Sequence, residues 1–117
     1  MDAIRTPEER FDNLKDYSFD THYIEVPAGD GSNLRMHYLD EGQGELILCM
    51  HGQPSWSYLY RKMIPVLVEA GYRVVAPDLI GFGKSDKLTT RSDYTYANHV
   101  FWMKGFIEAL DLRNMTI

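Results

Sequence analysis

The stretch Leu46-Ile47-Leu48-Cys49-Met50 constrains this chain more than any other segment. It is apolar throughout, and it stops abruptly at His51-Gly52-Gln53-Pro54. Apolar residues without polar alternation are the pattern of a strand covered on both faces, as happens where helices flank a parallel sheet. The aromatic-rich stretch from Trp56 to Tyr60 follows, opening a segment with helical spacing. A buried strand therefore hands its C-terminal end to a tight loop, and the loop leads into a helix.

The rest of the chain fits that picture. Phe19 to Val26 reads as a strand, and the turn cluster Pro27 to Asn33 separates it from a second strand over Leu34 to Asp40. In the second strand Leu34, Met36 and Tyr38 alternate with Arg35, His37 and Leu39, and the pair predicts an antiparallel hairpin. Leu59, Met63, Leu67 and Ala70 recur at helical spacing over Ser57 to Ala70, with Pro65 expected to kink or divide the helix and Gly71 to stop it. Arg73 to Ala76 is a short strand, Pro77 to Lys87 a polar loop, and Thr95 to Leu110 a helix with Val100, Met103, Phe106, Ile107 and Leu110 on one side. Asn114 to Ile117 reads as the start of another strand. Alternation of strand and helix in the second half implies an α/β fold with a mostly parallel sheet and crossover helices. In such sheets chemistry sits beyond the C-terminal strand ends, so His51 to Pro54 and Asp78 to Gly83 are expected to face one crevice.

Composition narrows the function classes. A net charge of −5 disfavours nucleic acid, whose phosphates need a basic surface. No apolar run approaches the roughly 18–20 residues of a membrane span, and Met1-Asp2-Ala3-Ile4-Arg5 has no apolar signal-peptide core. Cys49 is the only cysteine, placed within an apolar strand, and reads as a buried thiol. A cytoplasmic protein is expected.

Two loops carry the candidate chemistry. Gly52 is expected to allow a backbone conformation that a Cβ would resist, and Pro54 fixes φ and removes one donor. Together they can hold the Gln53 backbone N–H toward the crevice, as half of an oxyanion hole. The residues alone leave open a plain strand-to-helix turn with no chemistry. The Gln53 amide side chain could also donate a hydrogen bond to a leaving anion, or simply brace the loop. His51 reads as a structural histidine, because no nucleophile has a claim to stand beside it. His22, His37 and His99 lack metal-ligand spacing, and no metal site is expected. Gly81-Phe82-Gly83-Lys84-Ser85 is not a phosphate loop, since Asp78 stands where the first glycine would have to be. Asp78 is expected to brace its own loop or the histidine loop. Trp56, Tyr58 and Tyr60 read as packing residues.

Taken together, these segments resemble haloalkane dehalogenases. The resemblance is carried by His51 through Pro65, Ala76 through Lys87, Asp93-Tyr94-Thr95-Tyr96, Leu110 through Asn114, His37 through Gly42 and the opening Ile4-Arg5-Thr6-Pro7. It spans nearly the whole chain and is strongest to the branch that carries an Arg-Thr-Pro extension. The His-Gly-x-Pro signature by itself is shared with epoxide hydrolases and esterase-like relatives. The resemblance implies the N-terminal part of an α/β-hydrolase fold, with residues 1–18 as an irregular lead-in and 19–117 as the front of the main domain. The chain would stop before the nucleophile elbow, so the nucleophile, acid and catalytic histidine, and the cap domain, are expected outside it.

For the complete protein the resemblance implies hydrolytic dehalogenation. A carboxylate displaces halide from carbon, and histidine-activated water then hydrolyses the alkyl-enzyme ester. Gln53 would supply one oxyanion N–H, with His51, Gly52 and Pro54 shaping the loop and Trp56, Asp78 and Phe82 adjacent to the site. No metal or organic cofactor is implied; a haloalkane and water are the partners, and the complete protein is expected to be a monomer. Position 53 departs from the family pattern, where glutamate or asparagine is usual, so a halide-stabilising role for the Gln53 side chain is a separate hypothesis. An epoxide or ester hydrolase of the same fold, and a degenerate non-catalytic fragment, are the alternatives. The 117 residues alone are expected to be inactive and poorly soluble.

Overall fold

A computed structural model describes all residues, Met1–Ile117. In chain order the elements are β1 (Ala3–Ile4), β2 (His22–Pro27), β3 (Asn33–Glu41), β4 (Glu45–Leu48), α1 (Met63–Glu69), β5 (Tyr72–Pro77), β6 (Lys87–Leu88) and α2 (Tyr96–Ala109). Short 3-10 turns cover Glu8–Phe11, Ser57–Tyr60 and Arg91–Asp93.

The central sheet has four strands in the order β2-β3-β5-β4. It is mixed. The β2–β3 hairpin and the β3–β5 pair are antiparallel, while β4 and β5 run parallel. On the far side of β4, Thr116 forms a single parallel bridge to Ile47, with Leu48 N–H donating to Thr116 O (2.8 Å) and Thr116 N–H to Leu46 O (3.0 Å). The segment expected to open another strand thus lies where that strand would run, but contributes only this bridge.

Period-2 alternation sends successive strand residues into two cores. Leu46 and Leu48 of β4 and Val75 of β5 join Trp102, Met103 and Phe106 of α2. Val74, Ala76 and Cys49 face the other way and pack with Ile64 of α1. The apolar run from Leu46 is therefore covered on both faces, although Met50, at its end, is 38% exposed.

Three expectations about the elements change. The helix over Ser57 to Ala70 is two pieces: a 3-10 turn, then α1. The break comes before Pro65, which sits in the first turn of α1, where its missing N–H leaves no helical bond unmade. Gly71 does end the helix, at φ +96°, a left-handed conformation natural to glycine. In β3 the supposed polar register is buried, because His37 and Leu39 face the second core side of the sheet and are within 1% of full burial. In α2 the buried face is Trp102, Met103 and Phe106, and Val100 is half exposed.

The lead-in over residues 1–18 is tied to the body along its length. β1 pairs antiparallel with β6, and the Arg5 guanidinium donates to Asp86 (2.6 Å). No helix is long and apolar enough to cross a membrane.

Candidate active site

The two loops expected to share a crevice meet at the C-terminal ends of β4 and β5, and the residue between them is Asp78. It is fully buried and accepts from three directions: Ser57 N–H on Oδ1 (2.7 Å), Lys84 N–H on Oδ2 (2.9 Å) and the His37 ring Nδ1 on Oδ2 (2.8 Å). Burial pushes the Asp78 carboxyl up, but the His37 ring and the two amides outweigh it and hold the group below its ordinary value. Ser85 reinforces the joint, donating through Oγ to Asp78 O (2.6 Å) and accepting His37 N–H (2.9 Å). Gly83, at φ +53°, lies so close that a Cβ there would meet Asp78 Oδ2 at 2.4 Å and the Trp56 ring at 2.7 Å. Only glycine permits that approach.

His51 makes the second connection. Its Nε2 accepts Leu79 N–H (2.9 Å), which fixes the tautomer, so Nδ1 carries the hydrogen and donates to Gly52 O (2.9 Å). The segment from His51 to Ser57 is thus pinned at both ends, onto two consecutive residues, Leu79 and Asp78.

Between these pins, Gly52, Gln53 and Pro54 are exposed. Only the Ser55 N–H is spent within the loop, on Gly52 O (2.9 Å), and the Gln53 N–H donates to no group of the chain. The Gln53–Pro54 peptide is cis. The expectation for Gly52 is corrected: its φ is not left-handed and a Cβ would meet nothing within 4 Å, so its conformation does not demand glycine. What the missing side chain leaves is open space beside the Gln53 amide.

Gln53 and Phe82 line a cavity of about 310 Å³ together with Gly81, Arg91, Tyr94 and His99. Phe82 also packs edge-on against the His51 ring, centroids 5.4 Å apart. Trp56 does not line this cavity; its ring lies among Phe11, Tyr17 and Tyr58 on the lead-in side. Arg91 carries no signal in the sequence; Tyr94 enters there only within Asp93-Tyr94-Thr95-Tyr96, and His99 only as a histidine without metal-ligand spacing. Tyr94 accepts Leu88 N–H (2.6 Å) on its hydroxyl oxygen, leaving its own hydrogen available. Burial, with a smaller contribution from nearby His51, pushes His99 down, and its Nδ1 is buried without a partner. The cavity therefore offers one cation, an amide and hydroxyl donors, and a neutral imidazole. No cluster of three or more His, Cys, Asp or Glu side chains is placed to hold a metal.

His37 is the residue that sequence reading undervalued. It stands in the polar half of the β3 alternation, yet it is buried and orients Asp78. Leu39, apolar in that same register, was the available signal that this face is covered.

Comparison with known proteins agrees with the geometry. Residues 45–117 match the family model of the alpha/beta hydrolase fold. A haloalkane dehalogenase of Psychrobacter cryohalolentis is 56% identical over the whole of this chain, which covers 39% of that protein. The solved structure of the haloalkane dehalogenase DpaA from Paraglaciecola agarilytica NO2, described as tetrameric, superposes with a TM-score of 0.91 at 49% identity, covering 98% of this chain and 39% of that one. An epoxide hydrolase from Vigna radiata superposes at 0.71 with 32% identity, covering 84% and 30%. The chain thus spans about two-fifths of the length of the dehalogenases it resembles along its entire length, and it belongs to the alpha/beta hydrolase fold family.

Proposed function

We propose that these residues form the oxyanion side of a haloalkane dehalogenase, and that the complete protein converts haloalkane and water to alcohol and halide. The observation that carries the reading is the uncommitted N–H of Gln53, a residue that stands between two pins after β4 and lines a cavity. A carboxylate outside this chain attacks the halogen-bearing carbon. The C–O bond forms as the carbon–halogen bond breaks, and halide departs with the bonding pair. Water, deprotonated by a histidine also outside the chain, adds to the ester carbonyl. The Gln53 N–H stabilises the charge that develops on the carbonyl oxygen; collapse breaks the ester C–O bond, the leaving oxygen takes the proton back from the histidine as alcohol, and the carboxylate is regenerated.

Neither tempting residue in the chain competes for those roles. Asp78 is buried and spent on three donors, and both His51 nitrogens are committed. The Gln53 side chain makes no hydrogen bond within the chain and lines the cavity, which supports a place near the leaving halide. No metal or organic cofactor enters this scheme, and the 117 residues alone carry no turnover.

Expression of the complete open reading frame, followed by halide release from a terminal bromoalkane, tests the proposal. Release of halide with equivalent alcohol is expected. Diol formation from a terminal epoxide without halide release would favour the second reading, an epoxide hydrolase, which the Vigna radiata likeness supports. The reading extends to a cytoplasmic monomer. Light scattering checks the latter, and a tetramer like the Paraglaciecola relative would overturn it.

A further inference from the structure

The lead-in does more than follow the surface. Lys84 donates its backbone N–H to Asp78, while its side chain is 90% covered. Its Nζ lies 3.6 Å from Glu8, 5.3 Å from the Phe11 ring centroid and 6.0 Å from that of Tyr17. Tyr17 in turn shares a hydrogen bond with Ser57 Oγ, and its ring packs on Trp56 at 5.2 Å. Tyr58 donates to Lys15 O (3.1 Å). A closed circuit results, running Asp78, Ser57, Tyr17, Lys84 and back to Asp78. The lead-in supplies Tyr17, which reaches one candidate loop by its hydrogen bond to Ser57 and the other through Lys84; Phe11, beside Trp56 and Lys84, adds an apolar contact to both.

We infer that Tyr17 is a positioning residue: through Ser57 and Lys84 it sets how Asp78 holds the two loops, and so where the Gln53 N–H points. Three features of the geometry favour this over incidental packing. Ser57 is fully buried, so its hydroxyl has no solvent alternative to Tyr17. Burial, reinforced by the nearby Asp78 charge, pushes the Tyr17 phenol up, so it stays neutral. And the cation at Lys84, its side chain largely covered, lies between Glu8 and the rings of Phe11 and Tyr17 rather than in bulk solvent. The effect on catalysis rests on the reading given under Proposed function; the effect on the loops does not.

Tyr17→Phe keeps the ring and removes only the hydroxyl. Hydrogen exchange of the complete protein, read by mass spectrometry, is expected to speed at the amides of Ser57 and Lys84 by about tenfold, the loss of one ordinary hydrogen bond, with β5 amides unchanged. On a Ser57→Ala background the same substitution is expected to add nothing. Equal acceleration everywhere, no acceleration, or an additive effect on the Ser57→Ala background would each overturn the inference. If Tyr17→Phe does not fold, Ser57→Ala removes the same bond from the other side and gives the same local test. In the complete enzyme the first-turnover halide burst is expected to persist while kcat falls and KM for the haloalkane does not rise. If the exchange pattern holds but unaltered protein releases no halide, the dehalogenase reading fails and the positioning role stands.

Discussion

Asp78 is one side chain on which the arrangement of two loops depends. Replacing it by asparagine turns one acceptor oxygen into a donor facing Lys84 N–H and the His37 ring. Leaving buried donors opposed in this way costs about 3–5 kcal/mol, a large share of the 5–15 kcal/mol typical of a domain. Chemical denaturation of the complete protein measures it. The pH dependence has a definite sign. The folded Asp78 carboxyl lies below its ordinary value. Its ionisation therefore favours the folded state above the unfolded carboxyl's value, near pH 4, and that contribution is lost as pH falls further. Asp78→Asn is expected to flatten the stability profile on the acid side of about pH 4, which acid titration of the unfolding midpoint would reveal. Gly83→Ala should destabilise by a comparable amount, since its Cβ would overlap both Asp78 and Trp56. The bracing role of Asp78 could be read from sequence because a carboxylate after a strand has few other uses without a nearby metal pattern. Its partner His37 could not, because a histidine in an alternating strand looks solvated until the opposite face is known to be covered.

At the level of elements, the order of strands and helices followed from periodicity, and the exceptions have local causes. Pro65 made a division of this helix legible, but not its place before Met63, because Ser57 to Ala70 keeps one apolar spacing across the break. Ser57 N–H and its hydroxyl are already drawn to Asp78 and Tyr17, which holds the first turn tight. The start of α2 was legible: Thr95 caps it, accepting Asn98 N–H on Oγ1 (3.0 Å). Thr95→Ala is expected to cost about 1 kcal/mol, seen as a lower urea midpoint with unchanged slope. The apolar face of α2 was misjudged because the helix has two. Trp102 and Phe106 face the sheet, and Val100 and Ile107 face outward over Met50 and Leu79.

That second face makes an apolar groove of about 520 Å³ along α2, beside the nearly unpaired edge of β4. Neither feature suits a protein at rest in water. The 117-residue chain by itself is expected to bind a hydrophobic dye and to self-associate, and Val100→Lys to reduce both. Because Val100 is half exposed, that change should alter stability by no more than about 0.5 kcal/mol. A chain that stays monomeric and dye-silent at high concentration would contradict this. The overall architecture was readable because strand and helix periods are set by burial. The groove was not, since one sequence cannot say which of two apolar helix faces meets the sheet. The double pinning of the His51–Ser57 segment has a consequence for how such proteins diversify. Its anchors use backbone and the side chains of His51 and Asp78, so residue 53 contributes nothing to its own placement. A change of side chain there alters the reagent and leaves the mount untouched, so new reactivity at this point arises at little risk to folding.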